Sequence, residues 1–261
     1  MNIDLREGLV DVAGSLPTFA SLGLEERAAS VGRIAADSYE YLGDLLRFRP
    51  DVQLLVVDEA DWPRVSEALY GLPNASNGTL VVAGGEPPLW ASFAEMVQPE
   101  DRAEFEAVYR ADDGSIKLGP FMDLIAVHEV AHVFHEGSQH FPRLWLQEFF
   151  ANLCTHAWVA ERAPQNLSIL STLPRLAVKA PPATFAHTSR DEFERLYMDV
   201  GGPNYVWYQF RLQVEAGALY DRAGAGVVRR LFEAFRLDDE ALARRLATDV
   251  DPGLAEFSLG F

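Results

Sequence analysis

The chain has 261 residues, 49% of them hydrophobic, and its 39 acidic against 22 basic side chains leave a net charge of −17. A chain of this length buries roughly 70 to 75% of the surface its unfolded form exposes, so one large domain, or two small ones sharing a core, is expected. The charge disfavours nucleic acid and anionic membranes as partners, and a single cysteine, Cys154, excludes an internal disulfide or a multi-cysteine zinc cluster and fits a reducing compartment.

The first residues, MNIDLREGLVDVAGSL, place acids where a signal peptide needs basic charge, and no apolar run approaches the length of a membrane span. A cytoplasmic protein is the expectation. Apolar positions at helical spacing from Leu24 to Leu46 predict a long amphipathic helix, closed by Pro50, and VQLLVV (52–57) reads as a buried strand. Asp61, Trp62 and Pro63 open a helix that Gly71 ends; the loop LPNASNG leads to a second strand, TLVVAG (79–84), and GGEPP is irregular. Pro99 with Glu100 and Asp101 starts a helix running to Arg110. From Pro120 onward the pattern is almost entirely helical, over 120–136, 143–161, 189–199, 203–218, 222–236 and 239–248. The Pro-rich connector LPRLAVKAPPATF (173–185) is the one seam or mobile loop. The fold class is therefore α+β, mainly helical: an N-terminal α/β part with a small mixed sheet over 1–119, then a helical part over 120–261, together one compact unit.

The chemistry concentrates at HEVAH, residues 128–132. Residues four apart on a helix differ by about 40° around its axis, so His128 and His132 project side by side and two imidazole nitrogens can reach one metal ion. Glu129 then faces a water on that metal without ligating it, the place of a general base in a zinc hydrolase. Alone, the five letters also fit a helix that merely carries two histidines. A catalytic zinc needs a third protein ligand. The continuation HExxHxxGxxH fails, because position 135 is His and position 138 is Ser. His135 sits where one helix cannot easily wrap a third ligand onto the same ion, and His140 falls in a loop; both read as polar surface. Glu148 is the stronger candidate, since Gly137 and Pro142 mark a turn that lets a second helix fold back on the first.

The stretch FPRLWLQEFFAN (141–152) resembles the P-x-W-L-x-E-x-x-A segment of gluzincin metallopeptidases, the thermolysin-like and aminopeptidase N-like superfamily. The resemblance implies a zinc peptidase, one Zn²⁺ per chain, with His128, His132 and Glu148 as ligands, Glu129 as general base, and Trp145 and Ala151 as packing positions. Fifteen residues separate His132 from Glu148, fewer than in the large aminopeptidases, and Phe149 stands where a glycine usually follows the glutamate, adding with Phe150 bulk near the site. Asn152 occupies the place of an aspartate that orients a ligating histidine; a plain helix-surface amide is the alternative. GGPNYVWYQFRLQVEAG (201–217) is loosely similar to the family's oxyanion-tyrosine region, which points to Tyr205, with Tyr208 in reserve and aromatic core packing as the ordinary reading of both. The same resemblance makes GTLVVAGG the edge strand lining the cleft, where an extended peptide substrate could pair. The Gly-x-Met-Glu-Asn motif that holds a free N-terminus is missing, which favours an endopeptidase over an aminopeptidase. The resemblance covers roughly 75–235 and is tight over 128–152. The two rivals are a zinc hydrolase of a non-peptide or narrow intracellular substrate, and an inactive binding module whose cleft is plugged by the 173–185 segment or Phe149.

Overall fold

The computed structural model describes residues 5–138, 143–234, 244–252 and 254. Two aliphatic runs make the centre of its sheet. QLLVV forms β3 (Gln53–Val57) and TLVVA forms β5 (Thr79–Ala83), paired in parallel from Gln53 opposite Thr79 to Val57 opposite Ala83. Both are buried almost end to end, as an unbroken apolar run requires of a strand covered on both faces. With β1 (Val10–Val12), β2 (Thr18–Ala20) and β4 (Asn74–Ser76) they form five strands in the order β1-β2-β3-β5-β4; the inner three are parallel and the outer two antiparallel to their neighbours. The helix α1 (Glu25–Leu46) joins β2 to β3 and packs against them.

TLVVA, expected at the sheet edge, is interior, and the edge is β4, inside the segment LPNASNG expected to be a loop. The cause is the turn. Asn77 and Gly78 adopt φ of 49° and 75°, and Ser76 pairs with Thr79, so the Asn-Gly pair closes a two-residue hairpin. A β-carbon on Gly78 would stand 2.6 Å from the Asp51 carbonyl oxygen, which leaves glycine as the only fit.

Two short helices follow, α2 (Trp62–Val65) and α3 (Pro88–Ala94). The second begins inside the GGEPP segment expected to be irregular, because Pro88 is tolerated in a first helical turn. A 3₁₀ turn at Pro99–Asp101 leads into α4 (Arg102–Tyr109). The mainly helical remainder holds α5 (Gly119–Ser138), α6 (Leu144–Arg162), α7 (Leu167–Ala177), α8 (Arg190–Leu196), α9 (Gly202–Ala223) and α10 (Gly226–Ala234). Buried side chains lie all round α5, which marks it as the central helix; it packs against α1, α6, β4 and β5.

The seam expected at 173–185 begins instead within α7. Leu170, Leu173, Leu176 and Ala177 make an apolar stripe with no exposed surface, and its packing against α9 and α4 outweighs the helix penalty of Pro174. Of the helix expected at 239–248, the first half lies outside the described residues; the second half is helical and ends in a π-helical turn at Leu246–Val250. Among the described residues, no helix is long and apolar enough to cross a membrane. One hydrophobic cluster runs from Val12 to Leu254, so the boundary near 119 is a change of composition within a shared core.

Gly78→Ala should lower stability by at least about 1–2 kcal/mol, the cost of a side chain in the left-handed region, before the contact with Asp51 is added. Denaturant unfolding of the variant checks this, and an unchanged midpoint would show that the hairpin turn is not the constraint described.

Candidate metal centre

Three donor atoms meet where α5 packs against α6. His128 Nε2 lies 3.1 Å and His132 Nε2 3.4 Å from Glu148 Oε2, and the two Nε2 atoms are 2.9 Å apart. Tetrahedral zinc with bonds of about 2.0–2.1 Å needs donors about 3.3 Å apart. Two imidazole nitrogens and one carboxylate oxygen at these separations therefore fit such an ion. Glu129 brings a carboxylate oxygen within 4.8 Å of the two histidines and could complete a metal-holding group with them, while Glu148 Oε2 stands 3.1 and 3.4 Å from their Nε2 atoms and is the second candidate for the carboxylate ligand.

The electrostatics couple Glu148 to both histidines. Glu148 is 2% exposed, and burial alone would favour its neutral form, yet the imidazoles of His132 and His128 hold its carboxyl well below the usual range. His132 answers in kind: burial works against its charge, but the Glu148 carboxylate lifts its pKa to about 9. At neutral pH the protonated His132 supplies the positive charge that the buried carboxylate requires, and a divalent metal displacing that proton is the alternative cation these donors could hold.

Beyond the histidines, the Glu148 carboxylate is held from two further elements. The Tyr197 hydroxyl donates to Glu148 Oε1 at 2.6 Å, and Gln209 Nε2, on α9, donates to Oε2 at 2.8 Å. Tyr197 ends α8 in a strained conformation for a non-glycine residue, φ 47° and ψ −112°, and this bend delivers its ring to the site. In α8 itself, Ser189 and Glu192 form a capping box, and Glu194 accepts from the first amides of α6, Leu144 and Trp145. The helix bearing Glu148 and the residue restraining it are thus tied together. Asn152, expected to orient a histidine or face solvent, does neither. It is buried and donates to the Glu148 carbonyl and to Gln209 Oε1, fixing the amide that in turn serves Glu148.

A cavity of about 590 Å³ opens over the three donors. Its wall includes Glu129, Tyr205, Gln209 and Leu72 to Ala75, so β4 and the residues before it take the place expected of TLVVA. Glu129 is 5% exposed, and burial raises its pKa against the pull of both histidines, toward the range a general base needs near neutrality. The Tyr205 hydroxyl accepts from Gln209 Nε2 at 2.9 Å, and burial, with Glu148 next, pushes its pKa well up, so it stays a donor. Tyr208 is fully buried, donates to the Ser189 carbonyl and is absent from the wall. Phe149 and Phe150, expected to crowd the site, are wholly within the core, where Phe150 stacks on Phe232. Trp145 and Ala151 are buried as expected. His140 lies outside the described residues. His135, expected on the surface, is 7% exposed and sits 2.6 Å from His132 Nδ1.

Gln209 was within reach of sequence reasoning, since it lies four residues from Tyr205 on the same helical face. Tyr197 had no comparable signal: LYMDV reads as the continuation of a helix, and the left-handed residue that turns the chain is invisible to periodicity.

Tyr197→Phe removes a donor to a buried charge, a loss of about 1.5–3 kcal/mol, and should weaken metal binding about tenfold or more in a chelator competition; unchanged affinity would show that Gln209 alone orients the carboxylate. A pH test isolates the α8 cap. The His187 hydrogen bond first, then the Ser189 and Thr188 contacts, lower Glu192 from 4.5 to about 2. A depressed carboxyl contributes stability above its ordinary pKa and loses it as pH falls toward the folded value. The stability difference between wild type and Glu192→Gln should therefore be full above about pH 4.5 and vanish by about pH 2.

No protein-family model, curated protein or solved structure matches this chain, so its function is to be read from the geometry of the centre itself.

Proposed function

We propose that the protein is a zinc-dependent peptidase of gluzincin type, with one zinc per chain held by His128, His132 and Glu148. The observation that carries the reading is the convergence of those three donor atoms within 3.4 Å of one another under an open cavity. Two imidazoles and a carboxylate suit zinc among the divalent metals. When bound, zinc supplies Lewis acidity, acidifying a coordinated water and polarising a carbonyl.

The chain's own residues supply the rest. Glu129 takes a proton from the attacking water and delivers it to the leaving amine nitrogen as the C–N bond breaks. The Tyr205 hydroxyl donates to the oxygen on which negative charge develops. Gln209 orients both Glu148 and Tyr205 by donating to each. An extended peptide pairs along β4 at the sheet edge, which demands backbone rather than sequence. Without the motif that captures a free N-terminus, an endopeptidase is favoured over an aminopeptidase. The substrates are peptides or proteins in the cytoplasm, an address consistent with the lone buried Cys154, and the charge of −17 argues against nucleic acid.

One observation favours a second reading, a zinc hydrolase of a narrow or non-peptide substrate: about 590 Å³ falls in the range of small-ligand pockets. Full zinc occupancy with no cleavage across a broad peptide library would select it.

The test is metal content and peptide hydrolysis before and after chelation, with stoichiometric zinc restoring activity. Glu129→Gln should keep its zinc and lose about 10²–10⁴-fold in kcat. Tyr205→Phe should lose about 10²–10³-fold in kcat with little change in KM, as expected of a group that acts on developing charge. A protein that cannot be loaded with metal sinks the reading.

A further inference from the structure

The run HEVAHVFH places a third histidine one turn beyond the second, and the mechanism above leaves it without a role. We infer that His135 is a positioning residue for the metal centre: its Nε2 accepts the Nδ1–H of His132 and so fixes the ring and tautomer that present His132 Nε2 to the metal. The inference rests on the zinc reading of that site.

The geometry is direct. His132 Nδ1 and His135 Nε2 are 2.6 Å apart, with ring centroids at 4.7 Å and planes at 85°, so one ring's edge meets the other's nitrogen in a near-perpendicular contact. A histidine that ligates through Nε2 keeps its proton on Nδ1, and that N–H needs an acceptor if the ring is to hold its orientation. Such an acceptor is commonly a carboxylate or a carbonyl. The residue expected to fill this place, Asn152, is engaged with Glu148 and Gln209 instead. His135 is buried in the same wall, where an imidazole nitrogen facing inward is worth retaining only if bonded.

Both rings stand on α5, three residues apart and therefore on neighbouring positions of one face. The helix pitch, and no loop, sets their separation. His132 is thus held at both nitrogens, by the ligand cluster on one side and by His135 on the other.

The experiment compares zinc affinity, by competition with a chromophoric chelator, in wild type, His135→Gln and His135→Leu. The glutamine carbonyl oxygen stands about where Nε2 stands and keeps the acceptor, whereas leucine keeps the bulk and removes it. His135→Leu should weaken zinc binding about 10–100-fold, with a shifted ligand-field spectrum of the Co²⁺-loaded protein. His135→Gln should stay within about threefold of wild type, a rescue that a merely space-filling role would not produce. If metal-free His135→Leu melts like wild type and binds zinc equally well, the inference is overturned. Should leucine unfold the chain, His135→Ala replaces it, and glutamine losing as much affinity as alanine also overturns it. A wild type that takes up no zinc removes the metal reading itself, whereas a wild type that binds zinc without dependence on residue 135 removes only this role.

Discussion

A carboxylate buried to 2% exposure sets the terms for the structure around it. Ionised, Glu148 would cost several kcal/mol in an apolar interior unless hydrogen bonds and opposite charge replaced the water it lost. Its replacements come from elements far apart in sequence: two imidazoles from α5, a phenol from the end of α8 and an amide from α9. Each of those helices sits where its donor reaches one carboxylate, a condition that the packing of their apolar faces in the shared core also has to satisfy.

The scaffold makes the solution stiff. α5, buried all round, is backed by the sheet and by α1, so the histidines cannot move without disturbing the core. Near its end, the Asn77 and Gly78 amides work against the rise that burial gives the Glu136 carboxyl, so the hairpin tip lies beside α5, on which β4 packs. α6 is anchored by Glu194 from α8, the helix whose next turn delivers Tyr197. The edge strand, α5, α6 and the restraining tyrosine are thus packed or bonded in sequence, and the strained backbone at Tyr197 is sustained by the bonds its ring completes.

Local rules read well in this sequence where the interaction is local. α1, β3, β5 and the two ligand helices follow from apolar periodicity, and His128, Glu129 and His132 follow from a spacing of four on a helix. Glu148 was singled out through the resemblance of its segment to that of gluzincins, and the structure places it against both histidines. β4 was lost to a loop, although its Asn-Gly pair is a hairpin signal, because a three-residue strand carries too little pattern to register. α7 was lost to its proline, a penalty overridden by a stripe of leucines whose burial only the fold reveals.

The sequence by itself determined that His128, Glu129 and His132 share one stretch of helix, since a spacing of four on a helix converts directly into geometry. Tertiary structure decided which groups gather about Glu148. Tyr197 and Gln209 reach Glu148 across 49 and 61 residues of chain, and no periodicity spans such separations. It also divided two tyrosines three residues apart, sending Tyr205 to the cavity and Tyr208 to the core, because a helix turns about 100° per residue and only packing says which side faces inward.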